Sequence, residues 1–248
     1  MTRSWRIGQI VPSSNTTMET EIPAMLRARE AVFLDRFTFH TSRMRMKHVV
    51  KEELAAMDAQ SRRCASELAD ARVDVMGYAC LVAIMAMGPG YHRTSETNLA
   101  QIAAVEGGPA PVVTSAGALV ATLGELGFRR IAVLAPYMLP LTQTVVDYIA
   151  AEGFEVASVR SLEIPDNLAV GRRDPLQALE AARDLDLAET DALVLSACVQ
   201  MPAAAAIAAA EDRFGLPVVT ASSCTLRQML LALGLDPVVP GYGAALSA

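Results

Sequence analysis

Cys80 and Cys198 offer this chain its clearest chemistry. Cys80 closes the run Asp74-Val75-Met76-Gly77-Tyr78-Ala79-Cys80, and Cys198 closes Asp191-Ala192-Leu193-Val194-Leu195-Ser196-Ala197-Cys198. In both, an apolar, strand-like stretch stops at Ala-Cys and a second apolar stretch follows. A free thiol titrates near pH ~8.5, and a helix N-terminus or clustered amide donors lower that value. One buried cysteine reads as a small hydrophobe. Two in matching places read as a thiol pair facing one site, able to attack a carbon covalently or to pass a proton.

The match extends beyond the cysteines. Arg6-Ile7-Gly8-Gln9-Ile10-Val11-Pro12 resembles Arg130-Ile131-Ala132-Val133-Leu134-Ala135-Pro136, an offset of 130 − 6 = 124 residues. The cysteines are offset by 198 − 80 = 118, and Pro111-Val112-Val113-Thr114 recurs as Pro217-Val218-Val219-Thr220, offset by 217 − 111 = 106. Three landmarks in the same order, with a steadily falling offset, indicate an internal duplication with small deletions in the second copy.

Strand-like and helical runs alternate within each copy. The first copy reads as strand Ile7–Val11, a helix capped by Asn15 or Thr16 with Glu19 in capping-box spacing, and strand Ala31–Phe39. It continues with helix Lys51–Arg72, strand Val73–Ala79, helix Glu96–Val105 and strand Val112–Thr114. The second reads as strand Ile131–Ala135, helix Thr142–Glu152, strand Val156–Ser161, helix Pro175–Leu187, strand Ala192–Ala197, helix Pro202–Glu211 and strand Val218–Thr220. Such alternation predicts an α/β fold of two pseudo-symmetric lobes with mainly parallel sheets. We expect residues 1–115 plus 225–248 in the first lobe and 116–224 in the second. In open α/β sheets, sites form at the carboxyl ends of strands. Pro12, Cys80, Thr114, Pro136, Cys198 and Thr220 all fall there, so a cleft between the lobes collects residues from both copies.

Other residues near these ends are less committed. Ser13-Ser14-Asn15-Thr16-Thr17 reads as a capped turn and equally as a carboxylate cradle of backbone amides plus Asn15. Tyr137 follows Pro136 as Ser13 follows Pro12, and either donates a hydrogen bond to an anion or packs. Asn167 lies in a loop before a helix, and Arg43 occupies the matching position in the first copy as a substrate contact or a solvated charge. Cys64 lies on the apolar stripe of a helix and reads as core. Cys224 lacks a symmetric partner and reads as packing.

Composition removes several function classes. A net charge of −6 and the absence of a basic tract argue against nucleic acid and anionic membranes. The longest apolar run, Val75 to Met87, is too short to span a bilayer. No signal-like segment precedes the first strand, and four cysteines in so long a chain suggest reduced thiols in the cytoplasm. No Cys-x-x-Cys pair is present, and the three histidines lack ligand spacing, so we expect no structural metal. The abundance of apolar helix surface points to a homodimer.

These segments resemble the Asp/Glu racemase superfamily, which has two pseudo-symmetric α/β lobes, one cysteine from each, and no cofactor. Within it, three segments are most similar to the maleate cis–trans isomerase family. They are Val11-Pro12-Ser13-Ser14-Asn15-Thr16-Thr17-Met18-Glu19, Tyr78-Ala79-Cys80-Leu81-Val82-Ala83-Ile84-Met85, and Ser196-Ala197-Cys198-Val199-Gln200-Met201-Pro202. The resemblance implies cofactor-independent conversion of a small dicarboxylate, maleate, to fumarate by covalent thiolate addition. It implies Cys80 as nucleophile and Cys198 as its partner. Asn15, Tyr137 and Asn167 would contact the substrate carboxylates, with Val82, Val199 and neighbouring amides assisting. The alternatives are amino-acid or hydantoin racemisation by the same thiol pair, arylmalonate-type decarboxylation, against which Cys80 counts, and non-catalytic dicarboxylate binding.

Overall fold

In the computed structural model, which describes residues 3–247, the chain forms two four-stranded sheets. The first contains β1 (Ser4–Pro12), β2 (Arg36–Met44), β3 (Val75–Tyr78) and β4 (Val112–Thr114), and the second β5 (Arg130–Ala135), β6 (Glu155–Ser161), β7 (Ala192–Ser196) and β8 (Val218–Thr220). Their orders are β2-β1-β3-β4 and β6-β5-β7-β8, with every pairing parallel. The duplication therefore holds at the level of topology. The central strands β3 and β7 are buried along their whole length, which is why they read as unbroken apolar runs.

Helices fill the crossovers. In the first lobe these are α1 (Met18–Glu30), α2 (Lys51–Asp70), α3 (Leu81–Ala86), α4 (Tyr91–Val105) and α5 (Ser115–Glu125). In the second they are α6 (Leu139–Ala151), α7 (Asn167–Gly171), α8 (Pro175–Ala181) and α9 (Ile207–Phe214), while α10 (Ala221–Ala232) follows β8 and packs on β3 and β4 of the first sheet. Among the described residues, no helix is long and apolar enough to cross a membrane.

The lobes join along α5 and α10, the helices that follow the last strand of each copy. Thr225 Oγ1 donates to Ser115 Oγ at 3.1 Å, and Arg227 Nε to Glu125 Oε2 at 3.0 Å. Helix α10 also crosses onto the first sheet. A side chain at Gly77 in β3 would place its Cβ 2.9 Å from Met229 Sδ. Glycine there lets the helix approach the strand.

Several boundaries differ from the sequence reading. The second strand begins at Arg36 rather than Ala31. Val32 and Leu34, which made residues 31–35 look strand-like, are 59% and 79% exposed in the turn after α1. Helix α4 begins at Tyr91, a full turn before Glu96. Helix α8 stops at Ala181 and gives way to a short 3₁₀ turn, Ala182–Asp184. The proposed Thr16–Glu19 capping box does not form. Asn15 Oδ1 instead accepts from the Thr17 and Met18 amides, both at 3.0 Å, while Glu19 pairs with Arg43.

Candidate active site

Seven residues singled out in the sequence meet in one cavity at the carboxyl ends of both sheets. Asn15, Cys80, Val82, Tyr137, Asn167, Cys198 and Val199 line it, joined by Pro12, Met46, Val49, Leu81 and Gln200. Its empty volume is about 280 Å³. Met46 and Asn167 also belong to a wider vestibule lined by Ser13, Ser14, Lys47, His48 and Asp166. The mouth therefore carries two basic side chains.

The two cysteines share a strand-end position but not an environment. Cys80 is the N-cap residue of α3, and the next five residues, Leu81 to Met85, are all buried and apolar. Burial drives its thiol up to about 12; the Ala83 amide pulls the other way, and charge on Cys198 or Asp58 would push it higher. Cys198 does not start a helix. Residues 198–203 form an irregular turn, and helical structure resumes only with the 3₁₀ segment Ala204–Ala206. The reason is visible in the hydrogen bonds: the Ala203 and Ala204 amides are both taken by Glu21 Oε1, at 2.8 Å, from the other lobe.

Burial also raises the Cys198 thiol, but a set of polar groups opposes it. The Tyr137 hydroxyl lies against the sulfur and favours its thiolate, as do the Gln200 and Met201 amides. The Gln200 N–H donates to Cys198 Sγ at 3.4 Å. The expectation that amides at these strand ends would make both thiols acidic is therefore corrected: desolvation wins at each. Because charge on either cysteine disfavours charge near the other, one negative charge is the most the pair holds comfortably.

The remaining residues bridge the lobes. Asn15 Nδ2 donates to Val199 O at 3.2 Å, and Asn167 Nδ2 to Ser14 Oγ at 2.9 Å. Asn167 is the first residue of α7 rather than a free loop position. Arg43, left open between substrate contact and solvated charge, holds the Ser13–Asn15 loop: its Nη1 donates to Ser13 O at 3.0 Å and Asn15 O at 3.1 Å. Cys64 and Cys224 are buried away from the cavity lining. Met46, Val49 and Gln200 were not anticipated. Met46 and Val49 follow β2, and their only sequence signal is proximity to a strand end.

Known proteins resemble this chain closely. The arylmalonate decarboxylase family model matches residues 7–246. A maleate isomerase of Pseudomonas putida is 63% identical over 247 residues, covering 100% of this chain and 99% of the relative. A crystal structure of a Pseudomonas putida maleate isomerase, a cysteine-to-alanine mutant with maleate, superposes with a TM-score of 0.97 at 56% identity, covering 99% and 98% of the two chains. A cysteine-to-serine mutant of the Nocardia farcinica maleate cis–trans isomerase, with a covalently bound succinylcysteine intermediate, superposes at 0.94 with 47% identity over 98% of each chain.

Proposed function

This chain belongs to the arylmalonate decarboxylase family and, within it, to the maleate isomerases, which makes it a cis–trans isomerase of the Asp/Glu racemase-like fold; on that premise we propose that it converts maleate to fumarate with no cofactor, through a covalent adduct on Cys80. The observation that carries this reading is the pairing of two unlike thiols, an apolar-flanked Cys80 and a polar-flanked Cys198, across one small cavity.

The chemistry needs the C=C bond to become single long enough to rotate. The thiol pair starts with one proton shared between two sulfurs and one negative charge. The Cys80 proton passes to Cys198, and the Cys80 thiolate adds to C2 of maleate. The electron pair of the double bond moves to C3 and its carboxylate as an enediolate. Cys198 then delivers its proton to C3, which leaves a succinyl group on Cys80 and a thiolate on Cys198. After rotation about C2–C3, Cys198 removes a proton from C3 and the C2–S bond breaks, giving fumarate and the starting thiol pair. Covalent catalysis thus divides one forbidden rotation into permitted steps.

The lining residues singled out in the sequence each have a role in this scheme. The side-chain amides of Asn15 and Asn167 and the Tyr137 hydroxyl donate to the substrate carboxylates and the developing enediolate, where donors matter most. Val82 and Val199 bring backbone and apolar surface against the carbon skeleton. Lys47 and His48 at the mouth suit a dianion entering from solvent. The cavity's small size excludes water that would otherwise capture the activated carbon.

Purified protein incubated with maleate and no added cofactor should yield fumarate, read by proton NMR. No fumarate under these conditions, with aspartate, glutamate or hydantoin racemised instead, would sink the isomerase reading. In D₂O, deuterium at one vinylic carbon of fumarate would show that the C3 proton removed is not the one Cys198 delivered, whereas unlabelled fumarate would show that the same proton returns to Cys198.

A further inference from the structure

Gln200 has no place in the scheme above, yet its side chain makes three hydrogen bonds, all to segments that carry other residues of the cleft. It is 3% exposed and fully satisfied. Its Oε1 accepts from the Thr16 amide at 2.9 Å. Its Nε2 donates to Ser14 O at 3.1 Å and to Asn167 O at 3.0 Å. Its backbone N–H donates to Cys198 Sγ, and its carbonyl accepts from Thr17 Oγ1 at 2.7 Å. One residue of the second lobe thus grips both sides of the loop that carries Asn15, holds the first turn of α7 that carries Asn167, and orients Cys198.

A second observation, independent of these bonds, points the same way. Gly171 ends α7, and a Cβ there would lie 2.4 Å from Gln200 Nε2 and 2.8 Å from Thr16 Oγ1. Gly171 is absent from the positive-φ glycines, so its backbone does not demand glycine. What demands it is the space through which the Gln200 amide reaches the first lobe. The fold keeps a gap open for this side chain.

We infer that Gln200 is the positioning residue of the cleft, a cross-lobe clamp that sets Cys198, Asn15 and Asn167 in register with one another; the inference rests on the isomerase reading for its kinetic consequence but not for its structural one. Each amide hydrogen bond is ordinary in strength. Their arrangement is not interchangeable, because the side chain must accept on one atom and donate twice on the other. Glutamate has the same size and keeps the acceptor, but in its charged form it loses both donors and sets a negative charge against two carbonyl oxygens.

The test uses kinetics and thiol labelling on the full chain. In Gln200→Glu, activity relative to the wild type should fall as pH rises through the carboxyl's titration and recover as pH falls, because the protonated acid regains one donor. Gln200→Leu should lower kcat by on the order of 10- to 100-fold, the usual cost of a displacement of about 1 Å at a reacting site. In both variants, iodoacetamide labelling of Cys80 and Cys198, followed by peptide mass spectrometry, should accelerate on the order of tenfold, as cross-lobe hydrogen bonds are lost. Labelling of Cys64 and Cys224 should not change, which separates clamp release from general unfolding.

Gly171→Ala should reproduce the Gln200→Leu loss. Gly171→Ala combined with Gln200→Ala should lose less than the product of the single effects, since the shortened side chain vacates the space the methyl needs. Wild-type kinetics, a flat pH ratio and unchanged labelling in Gln200→Glu would overturn the clamp, as would fully multiplicative effects in the double variant. If the wild-type protein makes no fumarate, the isomerase reading fails alone, and the labelling results still decide whether Gln200 holds the lobes in register.

Discussion

The turn after β3 and the turn after β7 hold equivalent places in two sheets of the same topology, yet their surroundings differ. After β3, Cys80 enters a helix at once, and its neighbours are Leu81, Val82, Ala83, Ile84 and Met85, all buried. After β7, Cys198 enters an irregular turn whose groups are engaged from outside: Ser196 Oγ donates to Cys198 O at 2.7 Å, Gln200 clasps the first lobe, and Glu21 takes the Ala203 and Ala204 amides. The electrostatics follow the neighbours. Burial dominates at both sulfurs, but only Cys198 has a tyrosine hydroxyl and two amides working against it. Ionisation is therefore opposed at both sulfurs but less one-sidedly at Cys198, while Cys80 is left as a thiol in an apolar wall. That suits a nucleophile that is ionised only when its partner takes the proton, and is poorly solvated once ionised. Duplication supplied two sulfurs. On the proposed mechanism, the five or six residues after each one give the two sulfurs separate tasks.

Substitutions at the two sulfurs test that division most severely. Cys80→Ala should lower kcat by several orders of magnitude, as loss of a nucleophile does, whereas Cys198→Ala should cost about 10² to 10⁴, the range for a general acid–base group. Intact mass spectrometry of Cys198→Ser with maleate should show one substrate mass retained on the Cys80 peptide. Equal losses with no adduct in either variant would return the two turns to equivalent roles. Asn15→Ala and Asn167→Ala come next, each expected to lower kcat/KM by about 10² to 10³ through one missing donor.

Smaller effects should appear as displaced pH profiles. Both thiol values are raised in the cleft, so the active, singly charged pair accumulates as pH rises, and kcat/KM should climb on the alkaline side of neutrality. The Tyr137 hydroxyl lowers the Cys198 value. Removing it in Tyr137→Phe therefore makes ionisation harder and should move the rising limb to higher pH. Glu21 acts with the opposite sign and more weakly, since its charge raises Cys198. Glu21→Gln should move the limb slightly to lower pH, provided the Ala203 and Ala204 contacts survive. Stopped assays across about pH 6 to 10, a range that brackets the ordinary thiol value of about 8.5, would detect both displacements, and movement in the same direction for both variants would contradict the account.

Much of this was legible from residues alone because strand ends are easy to find in a parallel sheet. Val75–Tyr78 and Ala192–Ser196 are central strands, buried on both faces, so their apolar runs stop where the backbone leaves the sheet. That placed Cys80 and Cys198 just past the strand ends, with each strand read one residue too long at its carboxyl end. Edge strands gave weaker signals: β2 alternates between buried and exposed residues, and the exposed Val32 and Leu34 imitated its start. Capping at Asn15 was visible as a residue type, but its choice over Thr16 depends on Asn15 also reaching Val199 across the cleft. The helix expected over Pro202–Glu211 forms with shifted ends, as the 3₁₀ turn Ala204–Ala206 followed by α9 to Phe214. Its start is held from 182 and 183 residues away by Glu21, which accepts from the Ala203 and Ala204 amides. Met46 and Gln200 were hidden because their importance lies wholly in what the other elements bring against them.

The passage of α10 across the first sheet has a consequence for how the polypeptide comes off the ribosome. Met229 covers Gly77, and Thr225 reaches Ser115, so the first lobe lacks part of its roof until about the last tenth of the 248-residue chain is being made. Domains that fold as they emerge usually complete their cores before the next begins. Here the earliest-made strands must wait for the latest-made helix. A nascent chain stalled before Ala221 should stay sensitive to protease in both halves, and release of the final helix should protect both at once. The two lobes, so separable in outline, are then a single unit of folding.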